Sequence, residues 1–131
     1  MADQRERSDR VFKTAWFSKA ARKALIDDEE LCKAIRQVML GQADDLGGGV
    51  FKKRLGKNLY RSIIVARGAR FWVYAYLFAK NNRANIGHDD LANLRGYAAL
   101  FARKTDADIA NELKLEELVE ICYDMEPQIQ E

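Results

Sequence analysis

Lys52, Arg54 and Arg61 are the residues of this chain whose type and spacing best suit work on a phosphate. In a strand alternate side chains share a face, so Lys52 and Arg54 project together from FKKRL while Phe51, Lys53 and Leu55 project the other way. Arg61 sits at the start of the next apolar run, YRSIIV, and joins the same face if the two strands pair in a suitable register. Such a cluster holds an anion well: arginine offers a two-pronged donor, and crowding of like charges lowers a lysine pKa toward general-base range. The competing reading of the same spacing is a solvated strand edge without a target.

These cations lie in a stretch of one-sided charge. From Leu46 to His88 there are 43 residues without an Asp or Glu, and nine are basic: Lys52, Lys53, Arg54, Lys57, Arg61, Arg67, Arg70, Lys80 and Arg83. The rest of the chain holds 13 basic and 20 acidic residues, so the formal charge of +2 conceals a basic middle. Residues 104 to 131 carry a net charge of −7. This division predicts a polyanion-binding face beside an acidic segment that is either solvated or a partial screen for that face.

At 131 residues and 48% hydrophobic the chain is expected to form one domain over residues 1–131, with residues 1–9 flexible and 105–131 an acidic C-terminal extension. No apolar run approaches a membrane span and MADQRERSDR contains no hydrophobic signal core, so no membrane partner and a cytoplasmic location are expected. Cys32 and Cys122, far apart and without other cysteines, read as free, buried thiols. His88, the lone histidine, reads as a cap or surface residue before a helix, and one histidine makes a metal site improbable. Gly47, Gly48 and Gly49 lack the Lys and Ser or Thr of a P-loop and read as a turn.

The elements that must position the cations follow from periodicity. RVFK at 10–13 predicts a short strand, and Thr14 caps a helix with Trp16, Phe17, Ala20, Ala21, Ala24 and Leu25 at helical spacing. A second helix is expected from about 27 to 40, with Asp27 to Glu30 at its N-terminus and Gly41 ending it. Three strands follow at about 50–55, 60–66 and 70–78, rich in β-branched and aromatic residues and joined by short links, which predicts an antiparallel meander. Trp72, Tyr74 and Tyr76 alternate as sheet residues do, one face of that strand being core and part of the other a candidate RNA or partner surface. Helical spacing returns at 89–103 and 106–113, and 115–122 either continues the helix or forms a short apolar strand.

FKKRLGKNLYRSIIV, together with FAKNNRANI, resembles the RelE superfamily of bacterial type II toxins, and LGGGVFKK followed by AKNNRANI looks like its HigB-type subgroup. The resemblance covers most of residues 10 to 122. It implies an α+β fold of RelE type: a small, mostly antiparallel sheet with two N-terminal helices packed on one face, and C-terminal helices. It implies a toxin that cuts ribosome-bound mRNA, neutralised by a cognate antitoxin of helix-turn-helix type that binds operator DNA together with the toxin. Lys52 and Arg54 match the family's pair of basic residues on the second strand, Tyr60 and Arg61 the Tyr-Arg opening the third, and Lys80 the Lys after the fourth. Asn81 stands where well-studied relatives have an Arg, and Gly87 where they have a late Tyr; the link GKN replaces a longer Gly- and Lys-rich loop.

The chemistry implied uses no cofactor and no metal, since RNA brings its own 2′-hydroxyl nucleophile and needs a base, charge stabilisation and an acid for the leaving oxygen. The catalytic set expected is Lys52, Arg54, Arg61 and Lys80, with a lysine of lowered pKa as base; Lys53, Lys57, Tyr60, Asn81 and Arg83 are expected to bind RNA. Lys52 and Arg54 are both expected to face solvent. Two other functions fit the same resemblance: a noncatalytic inhibitor on this fold, for example of gyrase, and a degenerate toxin acting as an antitoxin-binding co-repressor.

Overall fold

Thr14 ends the first strand and begins the first helix, its hydroxyl accepting the Phe17 N–H at 3.0 Å. The computed structural model describes residues 9–67, 70–81 and 88–123, without the side chains of His88 and Asp89. Within them β1 (Arg10–Thr14) runs straight into α1 (Ala15–Lys23), and α2 (Asp28–Met39) follows. The Asp27 carboxylate caps α2 by accepting the Glu30 N–H at 2.9 Å, and Asp28, Glu29 and Glu30 complement the positive end of the helix. Gly41, at φ +87°, takes the chain out of the helix in a conformation that suits glycine.

The sheet has six strands in the order β2-β3-β4-β5-β1-β6. β2 (Asp44–Gly47), β3 (Val50–Leu55), β4 (Tyr60–Arg67) and β5 (Phe71–Ala79) form the antiparallel part. β1 lies parallel to β5, with Arg10 opposite Phe71 and Lys13 opposite Tyr74. After α3 (His88–Ala102) and α4 (Asp106–Lys114), β6 (Leu118–Ile121) returns antiparallel to β1. Of the two readings of 115–122 the strand is the one adopted.

The two faces of the sheet carry separate cores. α1 and α2 cover one, where Phe17, Ala21, Leu31 and Ile35 pack on Ile64, Trp72, Tyr74 and Leu77. The buried Tyr74 hydroxyl donates to the Leu31 carbonyl at 2.7 Å, so its polar end is satisfied inside the core. α3 and α4 cover the other, where Ala98, Phe101 and Ile109 meet Val50, Ile63, Val65, Val73 and Leu118. Leu118 and Ile121 are therefore core, whereas Leu115 and Val119 face outward.

One strand is added to those expected: Asp44–Gly47, although DDLG has no β-branched or aromatic residue. Two expectations are corrected. Trp72, Tyr74 and Tyr76 do not share a face, because Ile63 pairs with Tyr76 while Ile64 pairs with Tyr74, which leaves Ala75 as an extra residue. That bulge turns Tyr76 to the α3 side, against Ile63 and Phe78, while Trp72 and Tyr74 stay on the α1 side. Cys32 and Cys122 are not free thiols: they form a disulfide that ties α2 to the residue after β6, across 90 residues of chain. Sequence separation hid this pair, since only the folded sheet brings β6 over to α2.

Candidate functional site

The β3–β4 hairpin turns through Gly56, Lys57 and Asn58, all at positive φ. Glu30 of α2 fixes the turn by accepting the Gly56 N–H at 2.6 Å. A side chain at Gly56 would stand 2.8 Å from the Tyr60 ring, so this is a position where glycine is required sterically as well as by φ. With the turn fixed, Arg54 lies directly opposite Arg61 and Lys52 opposite Ile63. The register thus puts Lys52, Arg54 and Arg61 on the face that carries Ile63 and Val65.

That face is occupied at one end. α3 lies over the Val50 end of β3, where the Arg95 guanidinium donates to the Leu46 carbonyl and Ala98 approaches Gly49. Gly47 and Gly48 make room for it, since a Cβ on either would press on Arg95 at 3.3 and 3.2 Å. Arg54 and Arg61 sit at the other end of the hairpin, Arg54 exposed. Arg61 is oriented by its own turn: Nη1 donates to Asn58 O at 3.2 Å, Asn58 Oδ1 at 3.1 Å and Tyr60 O at 3.1 Å. Two guanidinium-bearing residues face each other across one strand pair, a pairing that costs stability unless an anion lies between them.

Lys52 departs from its expectation. Its side chain is 14% exposed rather than solvent-facing, and its ammonium lies 3.7 Å from Asp44 Oδ2. β2 pairs Asp44 with Lys52 and so sets a carboxylate at the rim of a face whose own strands contain none. Sequence reasoning missed Asp44 because the strand that carries it was not legible.

The other expected residues scatter. Lys53 is on the α2 side, its ammonium donating to the Gln42 carbonyl at 2.9 Å; burial, and secondarily the adjacent Arg54, lowers its pKa. Tyr60 packs on the α1/α2 core rather than on the cation face. Lys57 is exposed at the tip of the turn, and Lys80 and Asn81 are exposed just beyond β5, the Lys80 N–H donating to Leu59 O at 2.8 Å. Arg83 and Gly87 lie outside the described residues, as does the side chain of His88. Arg67, from the same basic stretch, is committed elsewhere: it stacks on Phe71 at 4.2 Å and reaches Asp106 at 3.6 Å. Among the described residues no group of three His, Cys, Asp or Glu is placed to hold a metal ion, and no helix is long and apolar enough to cross a membrane.

The arrangement offers two opposed arginines, a lysine held beside a carboxylate, and apolar rings in the next strand, which suits a phosphodiester with bases attached. Neither a curated protein nor a solved structure gives a match to the chain. The family model described as RelE toxin of RelE / RelB toxin-antitoxin system matches residues 9–121, from the first strand to the last. The chain belongs to the RelE toxin family.

Proposed function

We propose that this toxin is an mRNA endonuclease of the HigB-like kind, acting on ribosome-bound message in the cytoplasm and held in check by a helix-turn-helix antitoxin that carries it to operator DNA. Membership of the family supports the coarser part of this reading, a toxin with a cognate antitoxin. The observation that carries the finer part is the opposition of Arg54 and Arg61 across β3 and β4, with Lys52 on the same face.

In the reaction the 2′-oxygen attacks the adjacent phosphorus and the P–O5′ bond breaks, leaving a 2′,3′-cyclic phosphate and a 5′-hydroxyl. Charge grows on the non-bridging oxygens in the transition state, where the Arg61 guanidinium, held in advance by its own turn, and the opposed Arg54 stabilise it most. Asp44 enters as a rim carboxylate that Lys52 must share with the phosphate, or as a proton acceptor within reach of Lys52. Dependence on the 2′-hydroxyl restricts the reaction to RNA.

The test is induction in growing cells followed by mapping of mRNA 5′ ends. New 5′-hydroxyl ends within coding regions, absent with Arg54→Ala, are expected. Growth arrest with intact messages and damaged DNA would replace this reading with that of a gyrase inhibitor.

A further inference from the structure

We propose that Trp16 and Tyr76 form a stacking platform for a nucleobase of single-stranded RNA, next to the phosphate held by Arg54 and Arg61. This deepens the nuclease reading and rests on it.

The β1–β5 ladder ends at Tyr74, so among the described residues the rest of β5 has a strand neighbour on the β4 side alone. α1 runs beside this free stretch, and the two enclose a groove of about 680 Å³. Trp16 reaches across it from the first turn of α1 and stacks on Tyr76, ring centroids 5.1 Å apart and planes 17° apart. The bulge at Ala75 has turned the Tyr76 ring to the cation side, and Trp16 meets it where β1 no longer pairs with β5. Tyr76 in turn lies 6.0 Å from Phe78, and Phe78 is the direct cross-strand partner of Arg61. Arg54, Arg61, Phe78, Tyr76 and Trp16 thus make a continuous path from cations to aromatics. Adjacent strands are about 5 Å apart, so a nucleotide whose phosphate sits at Arg61 has its base within reach of the platform.

The occupant is argued from charge and from exposure. Trp16 is 51% exposed, a costly place for the largest apolar side chain unless a flat partner covers it. The groove is rimmed by Lys19 and Lys23, and among the described residues no acidic side chain lines it. A base offers the ring face and its backbone the negative charge, and such stacking tolerates any base. A strand of a protein partner added to the free β5 edge is the competing occupant.

The experiment titrates a ten-nucleotide single-stranded RNA into the full chain, at several salt concentrations, and follows tryptophan fluorescence. Wild type, Trp16→Phe, Trp16→Ala and Arg54→Ala/Arg61→Ala are compared, with thermal melts showing that each is folded. Quenching is expected in wild type and its loss in Trp16→Phe, which keeps most of the affinity. Trp16→Ala is expected to bind roughly tenfold more weakly with the salt slope unchanged, since stacking releases no counterions. The double arginine variant is expected to lose affinity and flatten the slope. Binding that needs the arginines but is indifferent to Trp16→Ala overturns the platform alone. Binding that needs Trp16 but not the arginines overturns the nuclease assignment, and no binding by wild type overturns both. Loss of antitoxin binding in Trp16→Ala with RNA affinity intact overturns the platform in favour of a protein strand.

Discussion

Asp44 Oδ2 lies 3.7 Å from Lys52 Nζ, so the strand that borders the cation face also tethers one of its cations. Removing the carboxylate in Asp44→Asn is expected to raise RNA affinity up to about fivefold, the scale of one ion pair whose carboxylate is exposed, and to steepen the salt dependence. RNA titrations at low and moderate salt measure both. Higher affinity together with lost cleavage would mark Asp44 as the proton acceptor.

Arg54→Ala separates function from fold more cleanly than Arg61→Ala, because Arg61 also braces its own turn through Asn58 and Tyr60. Relief of growth arrest is expected from Arg54→Ala with stability unchanged or raised by a few tenths of a kcal/mol, as one of two opposed like charges is removed. Growth curves beside urea unfolding check this; a folded variant of wild-type toxicity excludes the arginine pair from the chemistry.

The hairpin that bears the cations is legible in the sequence because strand alternation and a tight link leave little freedom: alternation alone puts Lys52 and Arg54 on one face, and the register adds Arg61. What was not legible depends on partners remote in sequence. β2 has no strand composition of its own and is made by pairing with β3. The bulge at Ala75 has no local signal, and alternation alone puts Tyr76 with Trp72 and Tyr74. Trp16 reads as one more member of a helical apolar stripe, and only the end of the β1–β5 ladder shows that it overhangs a free strand.

The Cys32–Cys122 disulfide closes a loop across 90 residues, and the entropy it removes from the unfolded chain amounts to roughly 4.6 kcal/mol. Reductant, or Cys122→Ala, is expected to lower unfolding free energy by up to that amount and to free β6 first. Urea titrations with and without reductant measure the difference. Coincident curves would show that the bond contributes nothing in solution.

The acidic C-terminal part is structural. Ile109 and Leu118 are completely or almost completely buried in the α3/α4 core, so deletion of residues 105–131 is expected to give insoluble protein rather than a better RNA binder. Ile109→Ala, a milder change, is expected to cost about 2–5 kcal/mol. A soluble truncated protein with stronger RNA binding would restore the reading of the segment as a screen.

Acid acts on α4 through its cap. Thr105 and Asp108 cap each other reciprocally, and the Thr105 backbone N–H, then its hydroxyl, holds the Asp108 carboxyl below the ordinary aspartate value. The unfolded chain then takes up the proton first, so the contribution is complete above the ordinary aspartate range and is lost as pH falls through the lower folded value. Helicity followed down the acid limb is expected to show a loss in wild type that is missing from Asp108→Asn, whose cap does not titrate; identical limbs would remove the cap from the acid response.

β1 is made first, yet both strands that flank it, β5 and β6, are made after it. At about 5–20 residues per second of synthesis, Val11 and Phe12 wait several seconds for Trp72 and Val73 and several more for Glu120 and Ile121. The β3–β4 hairpin needs its own turn and the Glu30 carboxylate of α2, both made before β5, and can close while β1 is still unpaired. The cation face is thus drafted before the molecule that will carry it is finished, and a nascent chain displays its arginines to the ribosome that is making it ahead of its own last strand.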